Sequence, residues 1–208
     1  PTEAGNAYRS LRAFLNWCAE KPEYNVSAAQ ITNEVRELVP ALKVKTDCLQ
    51  REQIKTWFAA VRSLPNQVIS AYLQTLLLTG ARRNELVGLR WADVDFQWGS
   101  MTIRDKVDGQ RTIPLTPYVA TILHALPRRN EFVFSSTGRR GAATDGKPDA
   151  AHITGPTKAH TDVLAKVELP HITLHGLRRS FSTLSEWCEI PTGVIAQIMG
   201  HKPSATAD

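Results

Sequence analysis

No stretch of the chain is long and apolar enough to cross a bilayer: the apolar stretch around Leu73 to Leu78 is far shorter than the roughly 20 residues a spanning helix needs. Cysteine is scarce as well. Cys18, Cys48 and Cys188 are widely separated and form no CxxC, which argues against a disulfide framework or a zinc site and for a reduced, cytosolic setting. The carboxylates are scattered without a recognisable ligand set, so a metal-dependent nuclease is disfavoured. No internal repeat is present. Neither is an initiator methionine or a charged-then-apolar leader before Pro1; the chain of 208 residues therefore reads as a piece of a longer one, a large domain plus a fragment of another.

Positive charge is in modest excess. Lysine and arginine number 25 against 20 aspartates and glutamates, a net +5 with a pI near 9.3, which is compatible with nucleic acid without demanding it. Placement says more. Arg82-Arg83, Arg104 with Lys106, Arg128-Arg129, Arg139-Arg140 and Arg178-Arg179 fall near expected turns and element ends, where a phosphate backbone can reach them.

Apolar residues at Tyr8, Leu11, Leu15 and Cys18 have helical spacing, and Lys21-Pro22 ends that helix. The polar stretch from Glu23 to Asp47 reads as a linker or covering segment, so a domain boundary is expected near Thr46, with residues 1–45 the end of a preceding domain and 46–208 the main one. Ile54, Trp57, Phe58 and Val61, then Val68 to Leu77 after Pro65, describe two core helices, the second ending at Gly80. A short helix begins at Asn84-Glu85-Leu86. Ser100 to Arg104 and Arg111 to Leu115 alternate around Asp108-Gly109, a β-hairpin with Lys106 near its tip. A helix from Thr116-Pro117 through Leu126, a brief strand at Glu131 to Phe134 and a long loop from Ser135 to Pro156 follow. Helices resume at Thr157 to Val167, at Leu174 to Cys188 behind an N-cap at Thr173, and at Thr192 to Met199, closed by Gly200. The fold class is α+β, mainly helical, with a small antiparallel β-sheet or hairpin.

Three short strings carry candidate chemistry: Thr79-Gly80-Ala81-Arg82, His175-Gly176-Leu177-Arg178 and Gly200-His201. His175 and Arg178 share the first turn of one helix, where free N–H groups and the dipole favour an anion. Taken singly, each string also has an ordinary reading. Arginine after a helix-ending glycine, lysine at a turn and histidine past a helix end are commonly solvated capping residues. Glu85, three residues after Arg82, either orients that guanidinium or is a surface pair. Their joint order decides for chemistry.

That order resembles the catalytic domain of the tyrosine site-specific recombinases, the phage integrase family, over about Thr46 to Asp208. The resemblance rests on Thr79-Gly80-Ala81-Arg82 with Glu85-Leu86, Lys106 followed by Arg111 and Ile113-Pro114-Leu115, His175-Gly176-Leu177-Arg178, and Ile198-Met199-Gly200-His201-Lys202. It implies the tyrosine-recombinase catalytic fold, with residues 1–45 a remnant of the core-binding domain. It also implies DNA strand exchange through a 3′-phosphotyrosyl link, with no cofactor or metal. Arg82 and Arg178 would hold the phosphate, His175 and His201 assist, Lys106 protonate the leaving oxygen and Glu85 orient; Arg83, Arg104, Arg111, Arg179 and Lys202 would contact DNA. The partners implied are double-stranded attachment-site DNA, further copies in a tetramer and accessory DNA-bending proteins, in the bacterial cytoplasm at the nucleoid. The attacking tyrosine is expected just past Asp208, because Lys202 to Asp208 contains none and Tyr8, Tyr24, Tyr72 and Tyr118 lie elsewhere. The competing readings are a noncatalytic DNA-binding protein of the same fold and a type IB topoisomerase.

Overall fold

The computed structural model describes residues 3–24, 45–105, 109–136, 152–153 and 155–201, with Asp105 described by its backbone only. The chain divides into two compact units, Pro1–Lys45 and Thr46–Asp208. In the first, helix α1 (Glu3–Ala19) is followed by a 3₁₀ turn at Pro22–Tyr24. The helix starts before the first apolar repeat at Tyr8, because Glu3, Ala4 and Ala7 favour or tolerate helix and Glu3 suits the positive end of the dipole. Trp17 lies between Phe14 and Tyr24, with ring centroids 6.4 Å and 5.7 Å away.

The second unit is built around one helix. α2 (Arg51–Arg62) leads through Pro65 to α3 (Gln67–Thr79), whose N-cap Asn66 accepts from the amides of Val68 and Ile69. α3 is buried nearly all round, including the polar Ser70, Gln74, Thr75 and Thr79, as expected of a helix enclosed by others. It packs against α2, the short α4 (Arg83–Val87), α5 (Pro117–His124), α6 (Pro156–Lys166) and α7 (Leu174–Trp187). The last described helix is α8 (Thr192–Met199). The mainly helical fold class read from the sequence is the one observed.

The expected hairpin is one side of a three-stranded antiparallel sheet in the order β1 (Val94–Asp95), β2 (Ser100–Asp105), β3 (Gly109–Pro114). Met101 pairs with Ile113 and Ile103 with Arg111. The inward face is thus apolar except at Arg111. β1 escaped the sequence reading because two residues carry no alternation. The strand expected at Glu131 to Phe134 is not formed: Trp91 N donates to Glu131 O and Val133 N to Leu89 O, leaving only an isolated bridge from Arg90 to Phe132. Its apolar residues are buried by the helices, so strand pairing was not needed to cover them. α5 ends at His124, two residues before Leu126. Most of the loop from Ser135 to Pro156 lies outside the described residues.

A buried contact joins α2 to α6. Trp57 Nε1 donates to His160 Nε2 at 3.0 Å, so that nitrogen must be unprotonated. Burial, assisted by the charge of His171, pushes the His160 pKa down to about 4. Between the ordinary histidine value and pH 4 the unfolded chain binds a proton that the folded one refuses. This contribution is therefore complete above about pH 6.5 and is lost as pH falls toward 4, a difference of roughly 3 kcal/mol. Denaturant melts at pH 7, 5.5 and 4 are expected to show a shallower acid loss for His160→Gln than for wild type, by about that amount; parallel slopes would refute the assignment.

Candidate active site

Three chain reversals meet at one point. α3 ends at Gly80 with φ +58°, and a Cβ there would come within 2.5 Å of the Phe181 ring and 3.2 Å of Met199 Cγ. A side chain is excluded twice, by conformation and by contact. α8 likewise ends at Gly200 with φ +69°, with His201 N donating to Ala196 O at 2.8 Å to close the last turn. α7 lies against both ends, Phe181 meeting Gly80 and Arg178 bonding the carbonyls of Gly80 and Met199.

That packing sets the arginines. Arg178, three residues after His175 on α7, is buried and donates Nη1 to Gly80 O and Nη2 to Met199 O, the latter at 2.9 Å. Arg82, in extended conformation ahead of α4, places Nη1 2.7 Å from Glu85 Oε1 and Nη2 3.5 Å from Gly200 O, while its amide donates to Glu85 Oε2 at 2.8 Å. Glu85 also receives Arg111, with Nη2 to Oε2 at 2.7 Å and Nη1 to Oε1 at 3.3 Å. Burial alone would raise the Glu85 carboxyl. The hydrogen bonds from Arg111 and Arg82, and the Arg111 charge, outweigh it and leave the pKa at about 2.

His201 follows directly on this cluster. Its pKa is held below the ordinary value by partial burial first, then by the charges of Arg178, Arg82 and Arg111. These side chains therefore act on one another as a single site. His175 is exposed on the first turn of α7, on the face of Arg178. Lys106 and Lys202 lie outside the described residues. Among the described residues, no three His, Cys, Asp or Glu side chains group so as to hold a metal ion.

The residues expected to meet DNA are placed unevenly. Arg83 is exposed, and its carbonyl accepts from Tyr72 Oη at 3.2 Å. Arg104 is exposed but tied by its guanidinium to the buried Asp93. Arg111 is turned inward, because it shares its strand face with Ile113. Arg179, also expected to meet DNA, is largely covered and pairs with Asp47.

Asp47 is the residue the sequence reading missed. Placed at the end of an expected linker, it accepts from Thr173 N at 3.0 Å and Thr173 Oγ1 at 2.7 Å, and Thr173 Oγ1 accepts in turn from Gly176 N at 2.9 Å. Its carboxyl is held below the usual range: burial opposes, but the Thr173 hydrogen bonds and Arg179 prevail. Two residues on, Leu49 N donates to Ser180 Oγ at 2.7 Å. This segment fixes the start of α7, and hence His175 and Arg178. The available signal was Gly176, a glycine inside a helix with no turn to make.

Neither tyrosine of this unit is disposed to react. Tyr72 is fully buried, which raises its pKa, and Tyr118 Oη is shared between Gln74 and Arg62.

The chain matches the phage integrase family over residues 47–208 and the phage integrase core-binding domain over residues 1–38. It is 52% identical over 213 residues to the prophage integrase IntF of Escherichia coli (strain K12), covering 100% of this chain and 45% of that protein. With the tyrosine recombinase XerD of Listeria innocua it shares 31% over 149 residues, 65% of this chain and 47% of the other. The chain thus spans less than half the length of these relatives. Among solved structures, the Tn1549 transposon integrase in complex with circular intermediate DNA superposes with a TM-score of 0.67 at 18% identity, covering 97% of this chain and 71% of that one. A lambda integrase tetramer bound to a Holliday junction gives 0.61 at 16% identity, covering 97% and 66%. Likeness at these identities concerns the fold, which is that of tyrosine-recombinase catalytic domains.

The clasp at Asp47 can be tested at Gly176. A Cβ there would lie 2.6 Å from Asp47 Oδ2, 2.7 Å from Asp47 O and 2.8 Å from Ile172 Cγ2. Helix propensity alone favours alanine by about 1 kcal/mol, whereas overpacking costs about 1–3 kcal/mol. Gly176→Ala is expected to lower the melting temperature by several degrees; a rise would show that the backbone approach at Asp47 does not constrain α7.

Proposed function

The chain belongs to the phage integrase family, and on that premise we propose that it provides the phosphate-binding part of a site-specific DNA recombinase for integration and excision of prophage DNA. The observation that carries this reading is the convergence of Arg82, Arg178 and His201 on the Gly80 and Gly200 turns. Guanidiniums fixed before the substrate arrives can stabilise charge on a phosphate without reorganising during the reaction.

In the proposed reaction a tyrosine hydroxyl attacks a DNA phosphodiester. The tyrosine O–P bond forms and the bond to the 5′-oxygen breaks, leaving a 3′-phosphotyrosyl link and a 5′-hydroxyl that later attacks the partner strand in reverse. The phosphodiester energy is retained in the link, so no nucleotide cofactor is consumed. Arg82 and Arg178 would bind the nonbridging oxygens, with Glu85 orienting Arg82. His201, its pKa lowered, would be neutral near pH 7 and donate an N–H to the phosphate, while His175 would bond the phosphate or take the tyrosine proton. Lys106 would deliver the proton to the 5′-oxygen. The nucleophile is proposed to be a tyrosine beyond Asp208.

Residues 1–45 would be the end of a core-binding domain that adds to DNA binding. Arg83, Arg104, Arg179 and Lys202 would add phosphate contacts. Strand exchange between two duplexes calls for several protomers, and a tetramer on attachment-site DNA, with DNA-bending accessory proteins, is part of the proposal. Work on chromosomal DNA would place the protein in the bacterial cytoplasm, at the nucleoid.

The full-length protein is expected to form a covalent adduct with a nicked attachment-site duplex, detected as a denaturation-resistant band. Salt-dependent binding with no adduct would favour the noncatalytic reading, and relaxation of supercoils without site preference a topoisomerase. Arg82→Ala and Arg178→Ala are each expected to abolish adduct formation, a loss of at least about 100-fold, with DNA binding largely kept. Equal loss of binding and cleavage would make both residues anchors only.

A further inference from the structure

We propose that Arg111 is a positioning residue of the cleavage site, setting Arg82 against the Gly200-His201 turn, and not a contact to DNA phosphate. The inference rests on the recombinase reading above. The alternation of β3 puts Arg111 on the same face as Ile113 and opposite the buried Ile103, so its side chain enters the protein and only 16% of it remains exposed.

Inside, the guanidinium joins three parts of the site. Two nitrogens form a fork on Glu85, whose oxygens also hold the side chain and amide of Arg82. Nε donates to Ile198 O at 3.0 Å, in the last turn of α8. Gly200 lies directly against the guanidinium: a Cβ there would come within 2.9 Å of Nη1 and 3.0 Å of Cζ and Nε. Arg111 therefore fixes the spacing between Glu85 and α8, and through them between Arg82 and His201. It also anchors the strand that follows the segment containing Lys106.

Geometry distinguishes this role from phosphate binding. A lysine can replace an arginine as a point charge on a phosphate, but it cannot form the fork on Glu85 and reach Ile198 O together. The test uses full-length protein carrying Arg111→Lys or Arg111→Met on the nicked duplex that wild type cleaves. Single-turnover adduct formation at saturating DNA is expected to fall about 100-fold for Arg111→Lys, the scale of loss from a misplacement near 1 Å. The Kd and the slope of log binding against log salt should be unchanged in both variants, and the lysine variant should remain folded well above the assay temperature. A cleavage rate retained by Arg111→Lys overturns the proposal. A salt slope reduced by about one in Arg111→Met overturns it whatever the rate, because that marks a lost phosphate contact. Should Arg111→Met not fold, Arg111→Lys alone decides. Wild type that forms no adduct defeats the recombinase reading itself, separately from any effect of Arg111.

Discussion

The last turn of α8 holds the site together. Its carbonyls at Ile198 and Met199, and that of Gly200 just beyond, are taken in order by Arg111, Arg178 and Arg82. A helix leaves its final carbonyls without partners and carries partial negative charge there, so cations stabilise that end. Here one helix end serves three guanidiniums, brought from β3, α7 and the turn before α4. The left-handed bend at Gly200 turns the chain and places His201 beside all three charges.

Such crowding would otherwise be costly. Two unit charges 4 Å apart repel by about 4 kcal/mol at an effective dielectric of 20. Glu85 removes much of that cost between Arg82 and Arg111 by bonding both, which is why its carboxyl stays ionised despite burial. Asp47 acts at the far side of the same arrangement. It holds Thr173 and Arg179, and so fixes the helix turn from which Arg178 reaches inward. The two carboxylates differ in place but not in kind, since each fixes a cation-bearing element by charge and by directed hydrogen bonds.

Much of this was legible in the sequence, for definite reasons. Gly80 and Gly200 marked helix ends because the chain needs positive φ there, and Thr173 marked a helix start. The four motifs could be ordered although none was decisive alone. Arg111 is expected from its charge to meet DNA, yet the alternation that places Ile113 and Leu115 inward also turns its side chain inward. Asp47 could not be found this way, since a single aspartate in a polar segment has no periodicity, and its partners lie 126 and 132 residues away. The strand expected at Glu131 failed because an apolar run shows burial, not the kind of neighbour that provides it.

The charge left over bears on the proposed chemistry. Among these four side chains, three arginines contribute +3 and Glu85 −1, a formal +2. Arg178 is held by backbone carbonyls of Gly80 and Met199, and carbonyls satisfy its N–H groups without cancelling its charge. A phosphodiester carries a single negative charge in the ground state, whereas its pentavalent transition state places about two on the nonbridging oxygens. Complementarity to the transition state over the ground state is what lowers a barrier, so in the proposed reaction Arg82 and Arg178 would act on the charge that develops there, while Glu85, kept ionised by its contacts with Arg82 and Arg111, would hold Arg82 in place.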